Sequence, residues 1–118
     1  MEPRILFIAE SYKENNDLLN LLDDNNIFVR CDYIDRCNLN NIIYDHQINL
    51  ILLDESCFSM MGFLNSIIRE TAIILILHHH DEDIIKTSWN YNVAEVIVKP
   101  DYYGLLQTIH KVLKNHSH

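Results

Sequence analysis

Three residues of this chain have the types and positions to do chemistry together: Glu10, Asp54 and Lys99. Each follows a short apolar run. Ile-Leu-Phe-Ile within Arg4–Ala9 precedes Glu10, Ile48–Leu53 precedes Asp54, and Ala94–Val98 precedes Lys99. Runs of that length, rich in branched residues, read as strands buried on both faces. A residue that closes such a strand emerges at its carboxyl end, the edge where ligands bind in open α/β sheets. Two carboxylates gathered on one edge repel each other unless a cation stands between them. Lys99 supplies one positive charge. Mg²⁺, commonly bound through one or two carboxylates plus phosphate and water, would supply two. The set suits phosphoryl chemistry, with Asp54 as a nucleophile that forms an acyl phosphate. Each residue also has a plainer role to weigh against this. An Asp after a strand caps turns and helices, and Glu10 and Lys99 serve equally as solvated surface charges.

The elements that must position these residues alternate along the chain. After the first strand, Ser11 and Glu14 have the spacing of a capping box for a helix carrying Leu18, Leu19, Leu21 and Leu22. Ile27–Ile34 reads as a second, edge strand, and Leu39, Ile42 and Ile43 form the apolar stripe of a short helix. Ile48–Asp54 is the third strand, Glu55–Gly62 a loop, and Phe63–Glu70 a brief helix with Leu64, Ile67 and Ile68 inward. Ala72–Leu77 is a wholly apolar fourth strand. The polar stretch His78–Asp83 leads into a helix through Tyr91. Ala94–Val98 is the fifth strand, and Tyr102–Lys114 an amphipathic helix with Leu105, Leu106, Ile109, Val112 and Leu113 on one side. Five strands alternating with five helices give a parallel α/β sheet with right-handed crossovers.

The totals exclude several classes. With 118 residues the chain makes one domain, spanning 1–118, and not two. A net charge of −8 argues against direct nucleic-acid binding, which needs a basic footprint. No apolar run approaches the roughly 20 residues of a membrane span, and Met-Glu-Pro-Arg lacks the layout of a signal peptide. The expectation is a cytoplasmic protein in which Cys31, Cys37 and Cys57 are free thiols. The run His78-His79-His80-Asp81-Glu82-Asp83 invites a metal reading. Adjacent histidines in an extended segment point alternately, however, and no zinc-site spacing accompanies them, so a polar loop at the active edge is the better reading.

In the order and spacing of its motifs the chain resembles the receiver domain of two-component response regulators, over essentially its whole length. The residues that carry the resemblance are Glu10 after strand one, Leu-Leu-Asp54 ending strand three, Gly62 eight positions beyond, and Val98-Lys99-Pro100 ending strand five. The resemblance implies a flavodoxin-like (βα)5 three-layer sandwich with a five-stranded sheet of order 2-1-3-4-5. It implies Asp54 as phospho-acceptor and Lys99 as the phosphoryl contact, with a cis Lys99–Pro100 bond. It also implies a Mg²⁺ site built from Glu10, Asp54 and the backbone carbonyl of Ser56. The implied partner is a histidine kinase or phosphotransfer protein. The last two helices and fifth strand are the face through which such domains form homodimers, and Trp89, Tyr91, Tyr102 and Tyr103 fall on or beside it.

Departures from the family pattern accompany the matches. Ala9 stands where a first acid is usual, which weakens the Mg²⁺ site. Leu77 falls where a Thr or Ser hydroxyl usually contacts the phosphoryl group. A slip of one residue would put His78 there instead, as a substitute donor. Val96 occupies the aromatic switch position, and the segment Gly62–Leu77 is shorter than usual. Two readings follow: an atypical receiver that accepts a phosphoryl group on Asp54, or a pseudo-receiver that binds a partner regardless of phosphorylation. Either is a signalling module rather than an enzyme with an external substrate. A small flavodoxin-like enzyme or nucleotide binder is the third class, and the absence of a Gly-rich phosphate loop speaks against it.

Overall fold

The structure is a computed structural model that describes residues 2–10, 15–31, 36–68, 71–99, 102 and 104–116. Five parallel strands, β1 (Arg4–Ile8), β2 (Phe28–Cys31), β3 (Leu50–Asp54), β4 (Ala72–Leu77) and β5 (Val93–Val98), form one sheet in the order β2-β1-β3-β4-β5. This is the flavodoxin-like α/β arrangement. The connecting helices are α1 (Asn16–Asp24), α2 (Arg36–Asp45), α3 (Met61–Ile67) and α4 (Glu82–Ser88), and α5 (Leu105–His116) closes the chain.

Alternation along the central strands divides the core in two. Ile5, Phe7, Leu50, Leu52, Ile74 and Ile76 face one side, where they meet Leu18 and Leu22 of α1 and Leu105, Ile109, Val112 and Leu113 of α5. Leu6, Ile8, Ile51, Leu53, Ile73, Leu75 and Leu77 face the other, against Leu39 of α2 and Met61 and Leu64 of α3. Every residue of β3 and β4 is buried, whereas β5, at the edge, is only half covered. A strand covered on both faces has no position for a polar side chain until it ends. The first such position in β3 is Asp54.

The chain has only two glycines, and other residues take the left-handed turns. Asn26 (φ 57°) and Gln47 (φ 53°) end α1 and α2. The amides of Ile27 and Ile48 then bond back to the carbonyls of Leu22 and Ile43, which satisfies the last turns and aims the chain into β2 and β3.

Several boundaries differ from those expected. Glu55–Gly62 is not a loop: Glu55–Met60 is a 3₁₀ turn that runs into α3, so Gly62 lies inside a helix. Asp54 starts this turn by accepting the Ser56 amide, a local capping signal that an apolarity pattern does not show. The fourth helix ends at Ser88 rather than Tyr91, and the last begins at Leu105 rather than Tyr102. The third strand begins at Leu50, because Asn49 turns its side chain to the Arg4 amide and the Glu2 carbonyl. The expected Ser11–Glu14 capping box, the end of the second strand beyond Cys31 and the Lys99–Pro100 bond lie outside the described residues. Among the described residues no helix is long and apolar enough to cross a membrane.

Candidate functional site

The carboxyl ends of β3, β4 and β5 bring Asp54, His78 and Lys99 together, and Glu10 stands at the end of β1 on the same edge. Asp54 is the centre, with 2% of its surface exposed. A carboxylate so enclosed must find partners, and this one has them on both oxygens. Oδ2 accepts the Ser56 amide at 3.1 Å, the Ser56 hydroxyl at 2.7 Å and His78 Nε2 at 2.9 Å. Oδ1 accepts no hydrogen bond but lies 3.2 Å from the Lys99 ammonium, an ionic contact without donor alignment. Burial pushes the Asp54 carboxyl up. The Ser56 and His78 hydrogen bonds and the Lys99 charge outweigh it and hold the group below the ordinary carboxylate value. Asp54 is therefore ionised at neutral pH. Since a carboxylate only accepts, His78 Nε2 carries the proton it presents.

Lys99 arrives from β5, where its amide bonds to the Leu77 carbonyl at 2.8 Å. Its ammonium also donates to Asn15 Oδ1 at 2.7 Å. Asn15 is buried at the start of α1, and it makes no side-chain cap there, so this oxygen orients the lysine instead. His78 is held from its other side as well, with Nδ1 3.4 Å from Glu55 Oε2. Imidazole thus lies between two carboxylates, one from each side of the β3–α3 junction.

Of the two alternatives at the end of β4, geometry brings His78 to Asp54. In the β3–β4 register Asp54 lies opposite Ile76. Two residues further, His78 falls on the same side of the sheet, while Leu77 falls on the other. Leu77 is fully buried with Leu53 and Leu75. Val96 is half-buried against that same cluster, and Ala9 is buried in the first. Glu10 is exposed; its amide donates to the Ser56 hydroxyl at 3.2 Å. Ser56 thus contributes its amide and hydroxyl to Asp54, in addition to whatever its carbonyl can do. His79 and His80 are exposed, and His80 reaches only Glu82, at 3.9 Å. Cys57 is free and buried; burial raises its thiol, which removes it from nucleophilic work at neutral pH. Tyr102, half-buried on the first core cluster, is raised by burial and then by the charges of Asp54 and Asp17, which places it in the field of the site.

Asn15 and Glu55 did not stand out in the sequence, and Tyr102 stood out only as an aromatic beside the expected homodimer face. Glu55 had one available signal, its adjacency to Asp54. Asn15 had none, since its burial and its lysine partner 84 positions away are products of the fold.

The donor set does not fit a divalent cation as arranged. Oδ2 of Asp54 is filled by three donors and Oδ1 faces an ammonium, so neither oxygen is left open to a divalent ion.

No protein-family model and no curated protein matches the chain. Solved structures do. A two-component response regulator from Clostridium difficile superposes with a TM-score of 0.80 at 15% identity, over 99% of this chain and all of the other (100%). A CheY-like response regulator receiver domain protein from Methanospirillum hungatei gives 0.80 at 16%, over 99% and 98%. A response regulator receiver domain protein from Clostridium thermocellum gives 0.80 at 17%, over 98% and 97%. With nearly the full length of both partners aligned, the chain has the fold of a response-regulator receiver domain.

Proposed function

We propose that this protein is an atypical receiver domain of two-component signalling that accepts a phosphoryl group on Asp54 from a histidine kinase or phosphotransfer protein. The observation that carries the reading is the Asp54 carboxylate itself. It is buried, held ionised, and placed at the end of the central strand with the Lys99 ammonium 3.2 Å from its free oxygen. An ionised oxygen beside a cation is what in-line attack on phosphorus requires. Oδ1 is the oxygen whose lone pairs are not taken, so it is the nucleophile in this reading. Lys99, oriented by Asn15, then meets the charge on the transferred phosphoryl oxygens. The Nε2–H of His78 is the second donor, in the place of the usual hydroxyl. The domain acts on no external substrate: the phosphoryl group is a mark on the chain.

The test is intact-mass spectrometry after incubation with acetyl phosphate. The expected result is a gain of one phosphoryl group that Asp54→Asn abolishes. Labelling that survives Asp54→Asn overturns the assignment.

A second reading, a phosphorylation-independent interaction module, is favoured by Leu77 and Val96. Both are packed as core residues, so neither offers the hydroxyl or aromatic lever by which the family's fold couples the acceptor to a distant face. Trp89, 72% exposed at the end of α4, supports a partner or homodimer face there. Partner affinity that is equal for the wild type and Asp54→Asn, with and without acetyl phosphate, would select this second reading.

A further inference from the structure

A cation at Asp54 needs a carboxylate lone pair turned toward it, and the chain has filled Oδ2 and set an ammonium against Oδ1. Oδ2 receives three donors, two from Ser56 next along the chain and one from His78, which arrives from the end of β4 with its side chain 37% exposed. The imidazole is not a chance contact. Glu55 backs it at 3.4 Å on Nδ1, and the second Glu55 oxygen is buried without a hydrogen-bond partner among the described residues. The Glu55 contact holds the ring when both ring nitrogens carry a proton, Nε2–H facing Asp54 and Nδ1–H facing Glu55. On the other side, a divalent ion approaching Oδ1 meets the Lys99 ammonium.

We propose that the imidazole of His78, with Glu55 behind it, competes with a divalent cation for Oδ2 of Asp54, so that the site neither needs nor readily admits Mg²⁺. The occupancy stands on the geometry alone; its catalytic consequence rests on Asp54 being the phospho-acceptor. In that consequence, an Asp54 oxygen bonds to the phosphorus of acetyl phosphate while the bond to acetate breaks. Acetate leaves with the electron pair. No proton is exchanged with Asp54; the His78 Nε2–H turns its hydrogen bond to a phosphoryl oxygen, and the Lys99 ammonium, still held by Asn15, meets the phosphoryl charge.

The experiment is a calorimetric titration of the full chain with Mg²⁺, for the wild type, His78→Ala and Glu55→Gln, each checked for folding by circular dichroism. Removing a charge-facing donor that competes for Oδ2 should tighten Mg²⁺ binding by about tenfold or more in His78→Ala. Glu55→Gln should fall between it and the wild type. Equal affinity in the wild type and His78→Ala overturns the proposal. The same three proteins are then treated with acetyl phosphate in EDTA and in Mg²⁺. The wild type should label equally in both, and His78→Ala only with Mg²⁺. Labelling of the wild type that requires Mg²⁺ overturns the proposal while leaving Asp54 as acceptor. No labelling of any of the three removes the acceptor reading, and the titration still decides the occupancy.

Discussion

The Asp54 pocket and the α4–β5 edge sit at opposite extremes of order in one small sheet. In the pocket, each contact on Asp54 comes from a named group at 2.7–3.2 Å, supplied by three different segments of the chain. At the edge, α4 has two turns, its Ile84 and Ile85 are half-buried, Val96 is half-buried, and Trp89 lies open. The difference follows from position in the sheet. β3 has a neighbour on each side and helices on both faces, so its end is fixed by packing from every direction. β5 has one neighbour, and among the described residues no strand pairs with its outer edge. In the proposed reading the chemistry is anchored where the fold is most constrained, and the surface offered to partners is where it is least.

The sharpest break of that contrast is Asp54→Asn, which should eliminate phosphoryl labelling while leaving the α4–β5 edge unchanged, as read by Trp89 fluorescence. Lys99→Ala should slow labelling on the order of 10²-fold, the usual loss when a charge-stabilising group is deleted from an enclosed site; time-resolved intact mass measures it. In the packed centre, Leu52→Ala should cost about 2–5 kcal/mol in urea unfolding. Trp89→Ala, at the edge, should change stability by less than about 0.5 kcal/mol. Equal costs at the two positions would erase the contrast.

Acid unfolding probes the same pocket. The folded Asp54 value lies below its ordinary 3.8. Its contribution is therefore fully present above that value and is lost as pH falls through the folded one. Stability of the wild type should drop more steeply below about pH 4 than that of Asp54→Asn, by urea midpoints across the range. The smallest effect concerns Gly62. It lies exposed inside α3, and an added Cβ would meet nothing within 4 Å. Gly62→Ala should stabilise the fold by about 0.5–1 kcal/mol. The glycine that helped mark the family pattern is thus not demanded by local space.

The fold was legible because its signals are local. Runs such as Ala72–Leu77 declare themselves buried by composition, and the alternation of strands with helical stripes leaves few topologies. Helix ends were less legible. Asp54 capping a 3₁₀ turn and Asn15 serving Lys99 in place of its own helix are side-chain choices that periodicity does not record.

That Asp54 closes a buried strand is written in the apolar run Ile48–Leu53, since a strand covered on both faces releases its first polar residue only at its end; Lys99 was placed at the same edge by strand alternation, although its own strand β5 is an edge strand only half covered. The sequence also left Leu77 and His78 as rivals for one position. Tertiary structure alone decided between them. The β3–β4 register sets Asp54 opposite Ile76, and the two-residue period of the strand carries His78, not Leu77, to the carboxylate. The brace from Glu55, the asparagine behind Lys99 and the filling of Oδ2 follow from the same cause. The Glu55–His78 and Asn15–Lys99 contacts and the third donor on Oδ2 join segments whose separation in the chain gives no hint of contact, and only the packed sheet sets the distances between them.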